Sequence, residues 1–318
     1  MNKKLFTVTI GIPAHNEAQN IIHLLHSILK QENNLYNLKK ILVVCDGSTD
    51  ATASKVLSLS KKYPVIQLVD DGKRLGKPQR LNQMYQMNTS DILVNLDGDI
   101  MLGNTKVIDA LVKPFYNPQI WLVTGNYQPI PAQNFIEKLI NTQHRLWYEI
   151  RKDVNKGNSI HNSYGCVAAL RDNLAKTITY PNDTISNSHY LYFSTLQQGG
   201  DFKFVKDAIV YYYSPNNVHD YLLQINRSVS EKAKNAHFFG KWVHEQYAIP
   251  KKYKLKGLFR MLFTEHIYTL LTILFHYYLN TFAKRKTPTR SKKALWQMVS
   301  STKRDLKQVN LSGIRVNI

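Results

Sequence analysis

Short apolar runs alternate with longer stretches of helical spacing over the first 130 residues. Val, Ile and Leu crowd 6–12, 40–45, 65–69, 92–96 and 120–124. Between them, 17–30, 51–62, 77–87 and 105–115 repeat apolar positions at helical intervals. Strand–helix alternation at this pitch predicts an α/β fold with a mostly parallel sheet covered by helices on both faces. Asp50 and Asn104 stand where the second and fourth helices begin and are N-cap candidates. Further on, the pattern predicts a helix over 132–154, a strand over 164–170 and a helix over 187–198 closed by Gly199-Gly200. A strand over 202–213 and a helix over 218–237 follow. Past Pro250 the composition turns to Lys, Phe, Leu and Tyr. We place a boundary there, between a domain over 1–250 and a basic, apolar-helical region over 251–318.

The chain has 318 residues, 43% hydrophobic and 20% charged, which is ordinary soluble-protein composition. With 14 Gly and 11 Pro, collagen-like and low-complexity readings are excluded. The formal charge of +20 asks for an anionic partner, and the excess is uneven. Residues 251–318 hold 15 Lys and Arg against Glu265 and Asp305, whereas 1–250 hold 27 against 20 acids. Nucleic acid is a poor fit, because no zinc-finger spacing, ribonucleoprotein motif or basic–aromatic platform is present. Cys45 and Cys166 are too few for a disulfide framework or a four-thiolate zinc site. Both sit in apolar runs and read as buried thiols of a reducing, cytosolic setting. The opening Lys3-Lys4 and its apolar run stop at Pro13, with polar residues where a signal peptide needs small ones, so none is expected. The nearest approach to a membrane span is 267–283, interrupted by His276 and Asn280.

In an open α/β sheet, ligands bind beyond the carboxyl ends of the strands. Three predicted strand ends here carry acids. The first runs into Pro13-Ala14-His15-Asn16-Glu17, the second into Asp46-Gly47-Ser48-Thr49-Asp50, and the fourth into Asp97-Gly98-Asp99. If the strands are parallel, all three clusters share one rim. Carboxylates gathered there repel unless a cation or a donor-rich ligand joins them. Asp97 and Asp99 stand two apart in extended chain and share a face. A divalent cation takes carboxylate oxygens together with those of a diphosphate. The plainer reading of each Asp-Gly pair is a turn. Asp46 is placed to grip a ligand's N–H or hydroxyl, and Glu17 equally suits the positive end of a helix.

Together these residues resemble the inverting family 2 glycosyltransferases of GT-A fold. Ile10-Gly11-Ile12-Pro13-Ala14-His15-Asn16-Glu17 is similar to the family's first-strand signature, and Val43-Val44-Cys45-Asp46-Gly47-Ser48-Thr49-Asp50 to its second loop. Gly76-Lys77 with Leu81-Asn82 resembles its helix start, and Asn95-Leu96-Asp97-Gly98-Asp99 its metal motif. The resemblance covers about residues 5–230. It implies that Pro13, Ala14, Glu17, Asp46, Lys77 and Asp97 contact a nucleotide-sugar donor, usually a UDP-sugar. It also implies that Asp99, with Asp97, holds Mg2+ or Mn2+ on the diphosphate. Two departures stand out. Counting back from the Gly199 to Ala208 stretch places Asn187-Ser188 at the family's acidic pair. Asp183 and His189 are then the base candidates. Gln224-x-x-Arg227 resembles the family's Gln-x-x-Arg-Trp element, with Ser228 in place of Trp; Arg227 and Gln224 would meet an acceptor or a phosphate.

Leu, Phe, Tyr and Ile fill 255–282 between Lys251, Lys252, Lys254, Lys256 and Arg260 on one side and 284–293, with six Lys and Arg, on the other. An apolar helix with basic flanks suits the headgroup region of an anionic membrane. A packed helix with solvated charges is the plainer alternative. The sequence therefore predicts a metal-dependent glycosyltransferase at the cytoplasmic face of a membrane, acting on a lipid-linked or cell-envelope glycan acceptor. Its rivals are a glycosyltransferase-like module that binds without chemistry and, more remotely, a nucleotidyltransferase.

Overall fold

A computed structural model describes residues 5–184, 187–229, 231–283 and 299–306; of 226–229, 282 and 283 it describes the backbone alone. The chain opens with β1 (Phe6–Ala14), α1 (Ile21–Leu29), β2 (Tyr36–Cys45), α2 (Thr52–Lys62) and β3 (Ile66–Val69). Next come α3 (Lys77–Gln86), β4 (Ile92–Leu96), β5 (Met101–Leu102), α4 (Val107–Val112) and β6 (Ile120–Pro129). The middle holds α5 (Phe135–Arg151), β7 (Val167–Arg171), α6 (Asp172–Thr177), α7 (Asn187–Gln197) and β8 (Asp201–Tyr212). Helices α8 (Val218–Val229), α9 (Glu231–Phe239), α10 (Val243–Gln246) and α11 (Lys251–Tyr278) follow.

The strands form one sheet in the order β3-β2-β1-β4-β7-β6-β8-β5. Strands β3, β2, β1 and β4 are parallel, as are β6 and β8. Strand β7 runs against both β4 and β6, and the short β5 against β8. Period-two alternation divides the core. Ile41 and Val43 of β2 join the cluster beneath α1 and α4, while Leu42 and Val44 join the cluster with Leu81 and Met84 of α3. All five residues of β4 are buried, which explains why it reads as a continuous apolar run rather than an alternating one.

Several boundaries differ from the sequence reading. Helix α1 starts at Ile21 because 15–20 are held as a loop by the residues after β2. Helix α5 is cut to Phe135–Arg151, with the Asn134 side chain accepting from Glu137 N. The stretch expected as one helix over 218–237 is helical on both sides of residue 230, which lies outside the described residues, and runs on to Phe239. Residues 164–166 precede β7.

Helix α11 lies along α5. A Cβ on Gly257 would come within 2.6 Å of Ile150 Cγ1, so glycine permits the close approach of the two helices. The helix is broken at Glu265 and His266. There the Glu265 carboxylate turns toward α5 and meets Arg145, Lys138 at 3.4 Å and the Thr142 hydroxyl at 3.0 Å. Residues 299–306 return to the sheet, where Leu306 is buried with Ile130, Tyr211 and Tyr213.

Candidate active site

The parallel register sets the rim. Ala14 pairs with Cys45 and Gly11 with Asn95, so the chain leaves β1, β2 and β4 on one edge. Hydrogen bonds lace the first two loops together. Asp46 N donates to Ala14 O at 2.8 Å, and His15 Nδ1 lies 2.8 Å from Asp46 O. Burial, with Arg74 nearby, lowers the His15 pKa. Asn16 N donates to Ser48 Oγ, Glu17 N to Thr52 Oγ1 and Thr49 N to Asn16 Oδ1. Asp50 accepts from Thr52 N at 2.9 Å ahead of α2, but the N-cap position is Ala51, one residue later than expected.

Asp46 is buried and engaged by the protein itself. Its Oδ1 accepts from Leu75 N at 2.6 Å, Gly76 N at 3.0 Å and Arg80 Nε at 3.1 Å. The Arg80 side chain is fully buried and reaches on to Asp71 and Gln83. Its guanidinium holds the Asp71 carboxyl well below the usual carboxylate range. Arg80 is absent from the sequence reading. Its spacing of three from Lys77, on the same face of α3, was the available signal.

The third loop closes on the first. A Cβ on Gly98 would stand 2.7 Å from Glu17 Cγ, so only glycine lets the two loops touch. Lys77 Nζ sits 2.6 Å from both oxygens of Asp97. Burial opposes the Lys77 charge, but Asp97 outweighs it and the pKa is raised. Glu17 is buried and is met from the far end of the chain by Lys303. The rim acids therefore do not wait on a metal to offset their repulsion, as the sequence alone suggested. Arg80, Lys77 and Lys303 already neutralise Asp46, Asp97 and Glu17.

Among the described residues, no three His, Cys, Asp or Glu side chains gather into a metal cage. A cation carried by a diphosphate needs only one or two carboxylates from the protein. Asp97 and Asp99 stand two apart on the loop after β4, with both oxygens of Asp97 held by Lys77.

The profile of glycosyl transferase family 2 matches residues 9–178. The chain belongs to glycosyl transferase family 2. It is 34% identical over 110 residues to the 4,4'-diaponeurosporenoate glycosyltransferase of Staphylococcus aureus strain MRSA252. That stretch is 34% of this chain and 28% of the relative. Its fold is similar to that of the mannosyltransferase PcManGT from Pyrobaculum calidifontis, solved with GDP-Man and Mn2+. The TM-score is 0.61 at 19% identity, covering 89% of this chain and 83% of that one. Mannosyl-3-phosphoglycerate synthase from Rubrobacter xylanophilus is similar at TM-score 0.53 and 13% identity, covering 74% of this chain and 76% of that one. The fold is thus the GT-A glycosyltransferase fold.

In this family 2 glycosyltransferase, Pro13 and Ala14 end β1 beside Asp46, and Glu17, Lys77, Asp97 and Asp99 belong to the same rim. Asn187, at the place of the family's acidic pair, packs on Gly165: a Cβ there would lie 2.5 Å from Asn187 Nδ2. Gly165 precedes Cys166, whose carbonyl accepts from Asp97 N, so α7 starts at the rim. Ser188 contributes its carbonyl to Ser163 Oγ. Asp183 is 57% exposed and paired with Lys234 at 2.5 Å, which lowers its pKa. His189 lies two residues along α7 from Asn187, about 200° around the helix. Its Nδ1 is 2.7 Å from Glu231 Oε1 and 3.1 Å from Tyr247 Oη. Gln224 is half-buried on α8, with Oε1 lacking a partner among the described residues. The Arg227 side chain and the basic clusters over 284–293 lie outside the described residues.

Two further features escaped the sequence reading. Tyr127 and Tyr212 stack with centroids 3.6 Å apart, and Tyr164 packs on Tyr127. Burial pushes the Tyr127 hydroxyl well up, with the neighbouring Tyr212 adding to the shift. The second feature is Lys303, whose amine also donates to His15 O at 3.3 Å.

Proposed function

We propose that this chain transfers a sugar from a nucleotide-sugar, first among them a UDP-sugar, to a lipid-linked or cell-envelope glycan acceptor, with inversion. The observation that carries the reading is the contact between Glu17 and Gly98, which joins the first loop to the Asp97-Gly98-Asp99 loop beside Asp46. Pro13, Ala14, Glu17 and Asp46 would line the nucleoside, and Lys77 the nucleotide side of Asp97. Asp99, with Asp97, would hold Mg2+ or Mn2+ on the diphosphate, and such an ion stabilises charge on the departing phosphate. The acceptor hydroxyl attacks the anomeric carbon as the bond to the phosphate oxygen breaks, and its proton passes to a base.

Asp183 and His189 are the two base candidates, His189 on the side of α7 turned away from Asn187. Its Nδ1 lies beside the Glu231 carboxylate. Lys234 holds Asp183 ionised and makes it a weak base. Gln224 and Arg227 are assigned to the acceptor side.

The membrane assignment rests on α11. Leu255, Phe259, Phe263, Ile267, Leu270 and Leu274 are exposed along it. Val243–Thr281 is long and apolar enough to cross a membrane by length and composition. We read it as lying in the headgroup region of the cytoplasmic leaflet, helped by flanking Lys and Arg at about 1 kcal/mol each.

Asn187 at the usual acid position favours a second reading, a module that binds donor without turnover. A screen of UDP-, GDP- and dTDP-sugars with Mn2+ or Mg2+ separates the two. Acceptor-dependent release of nucleoside diphosphate supports transfer. Metal-dependent nucleotide binding without release favours the module, and pyrophosphate release would identify a nucleotidyltransferase.

A further inference from the structure

Residues 299–306 form a strap between the sheet and the acid rim, held at Ser301, Lys303, Arg304 and Leu306. Ser301 N donates to Asp220 Oδ2 at 2.9 Å. Arg304 meets the buried Glu137 carboxylate, donates to Gln133 Oε1 at 2.8 Å, and lies 4.0 Å over the Tyr213 ring. Leu306 N donates to Asn20 Oδ1 at 3.0 Å, and its side chain is buried. Between these anchors Lys303 reaches Glu17 and His15 O on the rim. Glu17 uses Oε1 for Lys303; its Oε2 is buried with no partner among the described residues. Glu17 Cγ in turn lies against the Asp97-Gly98-Asp99 loop.

We propose that the strap exists to deliver Lys303 into the donor site, where its ammonium binds the diphosphate of the nucleotide-sugar while Glu17 Oε2 stays available to the nucleoside. The inference rests on the nucleotide-sugar reading above. Three observations favour a built-in ligand over a detachable plug. The strap is anchored on both sides of Lys303, before it by Ser301 N on Asp220 and after it by Arg304 on the buried Glu137 and by the buried Leu306. Lys303 takes only one oxygen of Glu17. A rim that holds Asp97 and Asp99 gains from a third cation if a diphosphate is to enter it. A lysine serves here as a point charge.

Titration calorimetry on the full chain tests this with UDP, GDP and the matching nucleosides, each with Mn2+. Lys303→Met should weaken the diphosphate by roughly 10- to 100-fold, the scale of a lost hydrogen bond to a charged group, and leave nucleoside binding within about twofold. Lys303→Arg should recover most of the loss. Unchanged or tighter diphosphate binding by Lys303→Met overturns the proposal, as does an equal loss for diphosphate and nucleoside, which marks a structural pin. A second measurement needs no variant. Amine acetylation of the wild-type chain, read by peptide mass, should slow at Lys303 when UDP or GDP is bound. Labelling that is unchanged or faster overturns it. If the wild-type chain binds neither nucleoside diphosphate, the nucleotide reading itself fails and the inference falls with it.

Discussion

Arg80 and Asp46 meet in the dry interior beneath the rim, guanidinium Nε to carboxylate Oδ1 at 3.1 Å, with the arginine side chain wholly shielded from solvent. Asp46 is the hub of the turn before α3, because the same carboxylate accepts from Leu75 N and Gly76 N. The loop that starts α3 therefore takes its shape from an ion pair between residues 34 apart.

Removing one partner of such a pair strands the other. Arg80→Met should cost about 3–5 kcal/mol of stability, measured by urea unfolding, because Asp46 and Asp71 lose their shared cation. A loss below about 1 kcal/mol would show that the pair is structurally idle.

Asp99→Asn keeps the size of the side chain and removes its charge. Divalent-dependent donor turnover should fall on the order of 10²-fold or more, with the fold intact by circular dichroism. Turnover that stays metal-dependent at wild-type rate would remove Asp99 from the site.

Two histidines set the acid limit of the fold. Burial pushes His144 down to about 3 and His161 down to about 4, with Arg151 adding to both. Both are neutral in the folded chain, whereas the unfolded chain protonates them near pH 6.5. The unfolded state thus binds more protons below that pH. Stability should fall by roughly 1.4 kcal/mol per pH unit for each histidine as the pH drops from 6.5 to 4. His144→Phe should remove its own share of the slope and leave those of His161 and His15. A stability that rises on acidification through this window contradicts the assignment.

The outer face of α11 offers a test of membrane docking. Phe259 and Phe263 are 64% and 66% exposed and pack on each other. Changing both to Glu should leave the urea midpoint nearly unmoved. It should cut sedimentation with phosphatidylglycerol vesicles at least tenfold, since each buried Phe contributes about 1.5–3 kcal/mol. Equal sedimentation of the double variant would place the contact elsewhere.

Much of the sheet was legible because burial on both faces leaves a long apolar signature. The run Ile92-Leu93-Val94-Asn95-Leu96 could only be a central strand, and it is. Ends were less legible. Glu17 looked like a first-turn residue, yet side chains from the β2 loop keep 15–20 out of the helix. The acids of the rim were visible, but their cations were not. Arg80 reads as one more polar position on α3, and Lys303 as one charge among many in a basic tail.

Taken alone, the sequence determined the alternation of strand and helix, the three acid loops, and the family to which they belong. Those are local properties: hydrophobic period, turn chemistry and short motifs are written within a few residues of one another. The tertiary structure alone decided the reversal of β7, the amide of Asn187 against Gly165, and the meeting of Lys303 with Glu17 across 286 residues. A side-chain pairing at that separation leaves no periodicity, because either charge would look the same on an open surface. Only packing brings the two together and removes the water that would otherwise satisfy them.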